Sequence, residues 1–286
     1  MSYKKGNKSY EELTIADDFM FFKVMSDGEL CKELLETILG IRISKLVYHE
    51  MQAVLKDSYD GKGIRLDVYA ADEKNTVYNV EMQAMNDDNL PRHSRYYQSC
   101  IDMDLLDKGI RYKKLNNSIV IFICTFDLFK KGYAKYTFNT RCNEDKEIVL
   151  EDGITKVFIN STASIDGVDA GLGSLIKYIN TGVASDGYTT KIDKAVVSSR
   201  KYKSWRNEYM KYQADREDLI EQGEIKNSIK TILRMLGRAI NLEDIADMID
   251  VDIQMVEKIR DISEKLDDKD NIDEIYSIYM NEMQNV

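Results

Sequence analysis

The sequence predicts an α/β protein in which a mixed sheet is flanked by helices and followed by a helical C-terminal region. Three observations carry this. Residues 64–83 (IRLDVYAADEKNTVYNVEMQ) alternate apolar and polar positions on either side of a polar break, the period-2 signature of half-buried strands. Residues 117–126 (NSIVIFICTF) form a β-branched apolar run, the pattern of a strand buried on both faces. Apolar residues at helical spacing precede and separate these stretches, and residues 161–240 read as helical and largely polar, so helices and strands are expected to layer on one another.

In chain order, residues 1–10 are polar. Thr14 with Asp17 three residues on reads as an N-cap with a capping acid. The helix it opens carries Phe19, Phe22 and Met25, and Asp27-Gly28 breaks it. Residues 29–39 place Leu30, Leu34, Leu35 and Ile38 on one helical face, with Gly40 as C-cap. Residues 43–50 read as a first strand. An antiparallel hairpin follows, with strands at 64–70 and 77–83 around the turn Asp72-Glu73-Lys74-Asn75.

Pro91, the sole proline, suits the first turn of the next helix. That helix carries Arg92, His93, Arg95, Tyr96, Tyr97, Leu105 and Leu106 and is expected to end near Lys108-Gly109. Beyond the buried strand, residues 133–140 and 155–160 read as further strands at the sheet edge. Residues 171–178 and 210–236 read as helices. Residues 241–262 place two short helices around Asp250-Val251-Asp252, the outline of a helix-turn-helix, and Ile272, Ile275, Tyr276 and Tyr279 follow at helical spacing. The expected organisation is a core at 11–165, a helical extension at 166–240 and an acidic helical tail at 241–286.

The formal net charge is −10, but its distribution is uneven. Residues 241–286 hold 14 Asp+Glu and 4 Lys+Arg, so the first 240 residues hold 36 of each sign. The acidity belongs to the tail, and the body has room for local basic patches. One such stretch spans 191–206, where Lys191, Lys194, Arg200, Lys201, Lys203 and Arg206 are interleaved with Tyr202 and Trp205. It reads either as a nucleic-acid footprint or as a solvated helix that docks through Trp205. Cys31, Cys100, Cys124 and Cys142 form no CxxC pair, which points to reduced thiols and a cytoplasmic setting. No run approaches the roughly 18 apolar residues of a membrane span. His49 and His93 alone leave little material for a histidine dyad or a zinc site.

The hairpin carries the chemistry. Glu81 and Gln83 share one face of its second strand, roughly 6–7 Å apart at about 3.3 Å per residue, and Asp67 lies on the first strand. If the less apolar faces coincide, two carboxylates and an amide converge. Paired carboxylates with room for water hold Mg²⁺ beside a phosphate. On the following helix, Arg92 and Arg95 stand at i, i+3 and share a face, which serves either as a phosphate contact or as a solvated surface.

An Asp on one strand and Glu81-Met82-Gln83 on the next resemble the PD-(D/E)XK nuclease motif, with Gln83 at the Lys position. Five ordered segments, ADDFMFFKVM (16–25), GIRLDVYA (63–70), YNVEMQ (78–83), SRYYQS (94–99) and IVIFICTFDLF (119–129), extend the likeness. Together they resemble the Rpn family of recombination-promoting nucleases and transposase-like proteins within that superfamily, over about residues 11–230. The resemblance implies a restriction-endonuclease-like fold and a metal-dependent DNA endonuclease associated with recombination or transposition. Mg²⁺ would be the cofactor, with Mn²⁺ as a substitute, and DNA the partner. It implies Asp67 and Glu81 as catalytic metal ligands, Gln83 as the third signature residue and Asp18 as an acid from the first helix. Gln83 departs from the general pattern, because an amide orients water but brings no positive charge to the transition state. The alternative is a catalytically decayed nuclease fold acting as a DNA-binding or protein-interaction module. A homo-oligomer through the helical C-terminal region is a further expectation.

Overall fold

The computed structural model describes residues 8–55, 64–106, 109 and 111–284. The chain divides into two compact units, Met1–Arg206 and Asn207–Val286. This boundary differs from the expected ones at 165 and 240. The physical reason is packing: helices α4 (Ala170–Thr181) and α5 (Gly187–Ser199) pack on α2 (Gly28–Leu39), and α5 also packs on α1 (Asp18–Met25). They therefore belong with the sheet.

In the first unit the described residues form a six-stranded sheet in the order β1-β2-β3-β4-β6-β5. The strands are β1 (Leu46–Leu55), β2 (Ile64–Asp72), β3 (Val77–Gln83), β4 (Ser118–Cys124), β5 (Lys135–Phe138) and β6 (Ile154–Asn160). β1, β2 and β3 run antiparallel in turn, β3, β4 and β6 are parallel, and β5 returns antiparallel on β6. The sheet is mixed, as the sequence predicts. The expectation that places both 133–140 and 155–160 at the edge is half met. β6 is interior, with Val157, Phe158 and Ile159 all buried, and only the largely exposed β5 is an edge.

The hairpin turn has a visible cause. Asp72 ends β2, and its Oδ1 accepts from the N–H groups of Lys74 and Thr76. Its Oδ2 accepts from the Tyr78 hydroxyl at 2.8 Å. Asn75 takes the left-handed conformation at φ 59°, which Asn tolerates better than most residues. These bonds lock the register that pairs Val68 with Val80 and Ala71 with Val77.

The parallel step from β3 to β4 requires a crossover, and α3 (Leu90–Leu105) supplies it. Its Leu90, Cys100 and Ile101 pack with Val77, Val120, Phe122, Cys124 and Phe158. On the other face Val68, Ala70, Tyr78, Val80, Ile121 and Ile159 are equally buried, with α1 against β2 and β3 and α2 against β1. Covered on both sides, β3 is buried at every residue except Gln83. The half-exposed strand that the alternation suggests is thus buried, because α3 lies over its polar face.

Several boundaries shift. The bond between Thr14 and Asp17 exists, from the Thr14 N–H to Asp17 Oδ2 at 2.8 Å, but it closes a turn ahead of α1, and Asp17 is the N-cap. Asp27 caps α2 by accepting from Glu29 and Leu30 N–H, and Gly40 ends it at φ 69°. The first strand runs later than 43–50, and α3 stops at Leu105; part of the expected end at Lys108-Gly109 lies outside the described residues. Tyr10, in a segment expected only to be polar, is buried and donates to the Ser199 carbonyl at 2.8 Å.

In the second unit, most of α6 (Lys203–Leu236) is followed by α7 (Leu242–Ile249), α8 (Ile253–Lys265) and α9 (Ile272–Gln284). Ile229, Ile232, Ile245, Val256, Ile259, Ile262 and Ile275 form its core. The α7–α8 turn expected around Asp250-Val251-Asp252 is present, with Asp250 left-handed at φ 56° and Asp252 capping α8.

Candidate active site

Strand alternation brings Asp67 and Glu81 to the same sheet face, the one beneath α3. The main-chain ladder between β2 and β3 ends at the pair Val68–Val80. One residue further, side chains take over from backbone carbonyls. The Asp67 N–H donates to Glu81 Oε1 at 3.1 Å, and the Met82 N–H donates to Asp67 Oδ2 at 3.2 Å. Each carboxylate therefore crosses to hold a backbone donor of the opposite strand. The strands part at this point, and two acid groups fill the gap. Glu81 is only 3% exposed and Asp67 is half-buried.

An aromatic column from α3 roofs this gap. Tyr97 stacks on Phe122 with ring centroids 6.1 Å apart, and Phe122 is the β4 residue in register with Glu81. His93 stacks on Tyr97 from the helix N-terminal side, and Phe158 stacks on Phe122 from β6. The Tyr97 hydroxyl is pushed above its ordinary range, first by burial and then by the negative charges of Glu81 and Asp67. It stays protonated near neutral pH and is available as a donor. Sequence reasoning missed Tyr97, because in α3 it is one aromatic among several at core spacing. Only the fold sets it over Glu81.

The remaining sequence candidates lie as follows. Gln83 ends β3 half-buried, and its carbonyl accepts from the Thr125 N–H at 3.0 Å, which fixes the strand end. It shares the Glu81 face by alternation. Asp18 opens α1, and its Oδ1 accepts from the Phe19 N–H at 2.8 Å, a first-turn bond. Among the described residues no group of three or more His, Cys, Asp or Glu side chains is placed to hold a metal ion. Arg92 and Arg95 are exposed on α3. Arg95 lies toward Lys156 of β6, whose ammonium is held below its ordinary value by burial and then by the Arg95 charge. β6 stands two strands from β3, about 10 Å across the sheet, which puts Arg95 to the side of the Asp67–Glu81 pair.

Three of the six basic residues at 191–206 are engaged within the first unit. Lys191 pairs with Glu33 at 2.6 Å, Arg206 pairs with Glu11, and the Arg200 guanidinium donates to the Leu13 carbonyl. Lys23 sits 5.3 Å from the Trp205 ring centroid. Of its two sequence readings, docking through Trp205 is the one these contacts fit.

Two oxygen-donor carboxylates at a parting of strands suit a hard divalent cation. Fold and site together define a restriction-endonuclease-like α/β protein. Residues 16–165 match the family described as PD-(D/E)XK nuclease family transposase, and the chain belongs to that family. No curated protein and no solved structure matches the chain. Among the described residues no helix is long and apolar enough to cross a membrane.

Proposed function

We propose that this chain is a metal-dependent DNA endonuclease that hydrolyses phosphodiester bonds in the course of DNA recombination or transposition. The observation that carries the reading is the reciprocal bonding of Asp67 and Glu81 across β2 and β3, which fixes both carboxylates at the point where the strands part. Asp67 and Glu81 are the ligands for Mg²⁺, with Mn²⁺ as a substitute. The chemistry such a cation supplies when bound is polarisation of the scissile phosphate and a lowered pKa for water.

The chain's own groups do the rest. Glu81 and Asp67 would hold the cation at the gap between the strands. Gln83 accepts from and orients the attacking water at the strand end. Tyr97 excludes bulk solvent from Glu81 and keeps a hydroxyl proton beside the two charges. Arg92 and Arg95 neutralise phosphate charge along the flank.

The test is incubation of the purified chain with supercoiled plasmid, with Mg²⁺ or with chelator. Nicking and linearisation that need Mg²⁺ and disappear in Asp67→Asn and Glu81→Gln support the reading. DNA binding without any cleavage, in Mg²⁺ or Mn²⁺, supports the non-catalytic alternative, for which Gln83 in place of a Lys is the relevant feature.

A further inference from the structure

Asn79 lies on β3 two residues before Glu81 and on the same face. It is 0% exposed. Neither its Nδ2 nor its Oδ1 has a hydrogen-bond partner among the described protein groups. In the same layer between the sheet and α3, the Gln98 Oε1 also lacks one, although its Nε2 donates to Asp102 Oδ1 at 2.8 Å and to Ser118 Oγ. Leaving a buried polar atom unsatisfied is destabilising, and Asn79 has two such atoms. Buried polar groups in such a position are met by ordered water, which makes about three hydrogen bonds.

The neighbours of Asn79 narrow the partners open to such a water. Across β3 from Asn79 stand Val120 on β4 and Tyr69 on β2. Along β3 on the same face, the neighbours are Val77 and Glu81. Val77 and Val120 offer no polar side-chain atom, and the Tyr69 hydroxyl lies toward Asp104 of α3. Glu81, roughly 6–7 Å away along the strand, offers a carboxylate at a distance that one water bridges with two hydrogen bonds. Glu81 Oε1 already accepts from the Asp67 N–H, and a water donor on this carboxylate would further restrain its rotation.

We infer that Asn79 is a positioning residue for Glu81, acting through a buried water held between its carboxamide and the Glu81 carboxylate. The inference rests on the proposed nuclease site for its functional consequence, but not for the water itself. Asn79 touches neither substrate nor metal. Its role is to hold Glu81 in the orientation that binds a cation, as outer-shell partners of metal ligands do.

The test uses the full chain and three readouts. A high-resolution crystal structure of the metal-free protein is expected to show a water bonded to both Asn79 and Glu81. Asn79→Val should hold or raise the melting temperature, because it removes two buried polar atoms. It should also weaken Ca²⁺ binding, measured by calorimetry, by about tenfold, and lower kcat for plasmid cleavage by a similar factor with KM unchanged. Asn79→Ser, which keeps a hydroxyl for the water, should recover part of both losses. A merely structural Asn79 would move the melting temperature and leave Ca²⁺ affinity and kcat alone, and that result overturns the proposal. So does a crystal structure in which Asn79 has no water toward Glu81. If the wild-type chain binds Ca²⁺ and Asn79→Val weakens it, yet no plasmid is cut, the nuclease reading fails and the positioning role stands. If neither Ca²⁺ binding nor cleavage is measurable, the crystallographic water alone decides.

Discussion

The backbone N–H of Asp67 donates to Glu81 Oε1 at 3.1 Å, while Asp67 in turn receives the N–H of Met82 through its own carboxylate. The pair is therefore structural as well as acidic. Two like charges facing each other repel, so removal of one would be expected to relieve strain. The crossed hydrogen bonds oppose that, because an alanine leaves a strand N–H without its acceptor.

Asp67→Asn and Glu81→Gln keep the acceptor oxygen and lose the charge. They are expected to fold with an unchanged or slightly higher melting temperature and to abolish Mg²⁺-dependent cleavage. Asp67→Ala and Glu81→Ala are expected to lose cleavage and also about 1–3 kcal/mol of stability, the cost of an unsatisfied buried donor. Denaturant melts beside plasmid assays separate the two. Alanine variants as stable as the wild type would show that the crossed bonds carry no weight.

For Tyr97, the ring and the hydroxyl can be separated. Tyr97→Phe keeps the stack on Phe122 and removes only the protonated hydroxyl beside Glu81 and Asp67. Melting should shift little, and cleavage should slow by about tenfold, on the order of 1.4 kcal/mol in the barrier. Unchanged kcat in Tyr97→Phe would reduce Tyr97 to a packing residue.

At Gln83 the prediction follows its place at the end of β3. Gln83→Lys restores the positive charge of the broader pattern and should leave measurable cleavage. Gln83→Ala should cut more slowly than wild type, with the strand end still fixed by the backbone bond from Thr125. Full activity in Gln83→Ala would make it a strand residue without a chemical role.

Much of this was legible in the sequence. The turn at Asp72 to Asn75 and the alternation on either side set the register, and the register alone brings Asp67 opposite Glu81. The apolar run at 118–124 announced the buried β4. What alternation did not show is that α3 covers the polar face of β3. Burial of Asn79 and Glu81, and the approach of Tyr97, depend on a crossover helix packing back over its own strand, a contact between distant residues with no local signature. The break between α5 and α6 at residues 200–202 was hidden for another reason. The basic residues there read as one stretch, whereas Arg200 turns back to the Leu13 carbonyl and the Tyr202 ring packs tilted against Trp205.

Thiol reactivity offers an independent check of the core. Burial pushes the Cys31 and Cys124 thiols up to about 12, and Cys100 is buried on the sheet side of α3. The thiolate is the reactive form, so at pH 8 these three should resist alkylation in the folded protein. Cys142 is the partly exposed one. Mass spectrometry after brief iodoacetamide treatment should find one label per native chain and four after denaturation. A second native label on Cys124 would mean that the β4 environment is open to solvent.

The α7–α8 pair has the outline of a DNA-reading helix-turn-helix, and its surface argues against that use. The exposed positions of α8 include Gln254, Glu257, Asp261 and Glu264. Its two cations ahead of Lys265 already have partners: both Arg260 Nε and one terminal nitrogen bond Asp261, and Lys258 Nζ contacts Met283 Sδ at 3.4 Å. Phosphate neutralisation dominates DNA affinity, and a helix that presents carboxylates works against it. Removing the whole tail is a poor test, because Ile229 and Ile232 of α6 are fully buried against α7, α8 and α9 and would be stripped bare. Point variants avoid this. Lys258→Ala combined with Arg260→Ala should leave plasmid affinity within about twofold at fixed salt, or about 0.4 kcal/mol. The slope of log affinity against log salt should also stay the same, whereas each lost phosphate contact would lower it by about 0.9. A tenfold weakening, about 1.4 kcal/mol, together with a shallower salt slope would mean that α8 contacts DNA after all and that its acidic face lies away from the duplex.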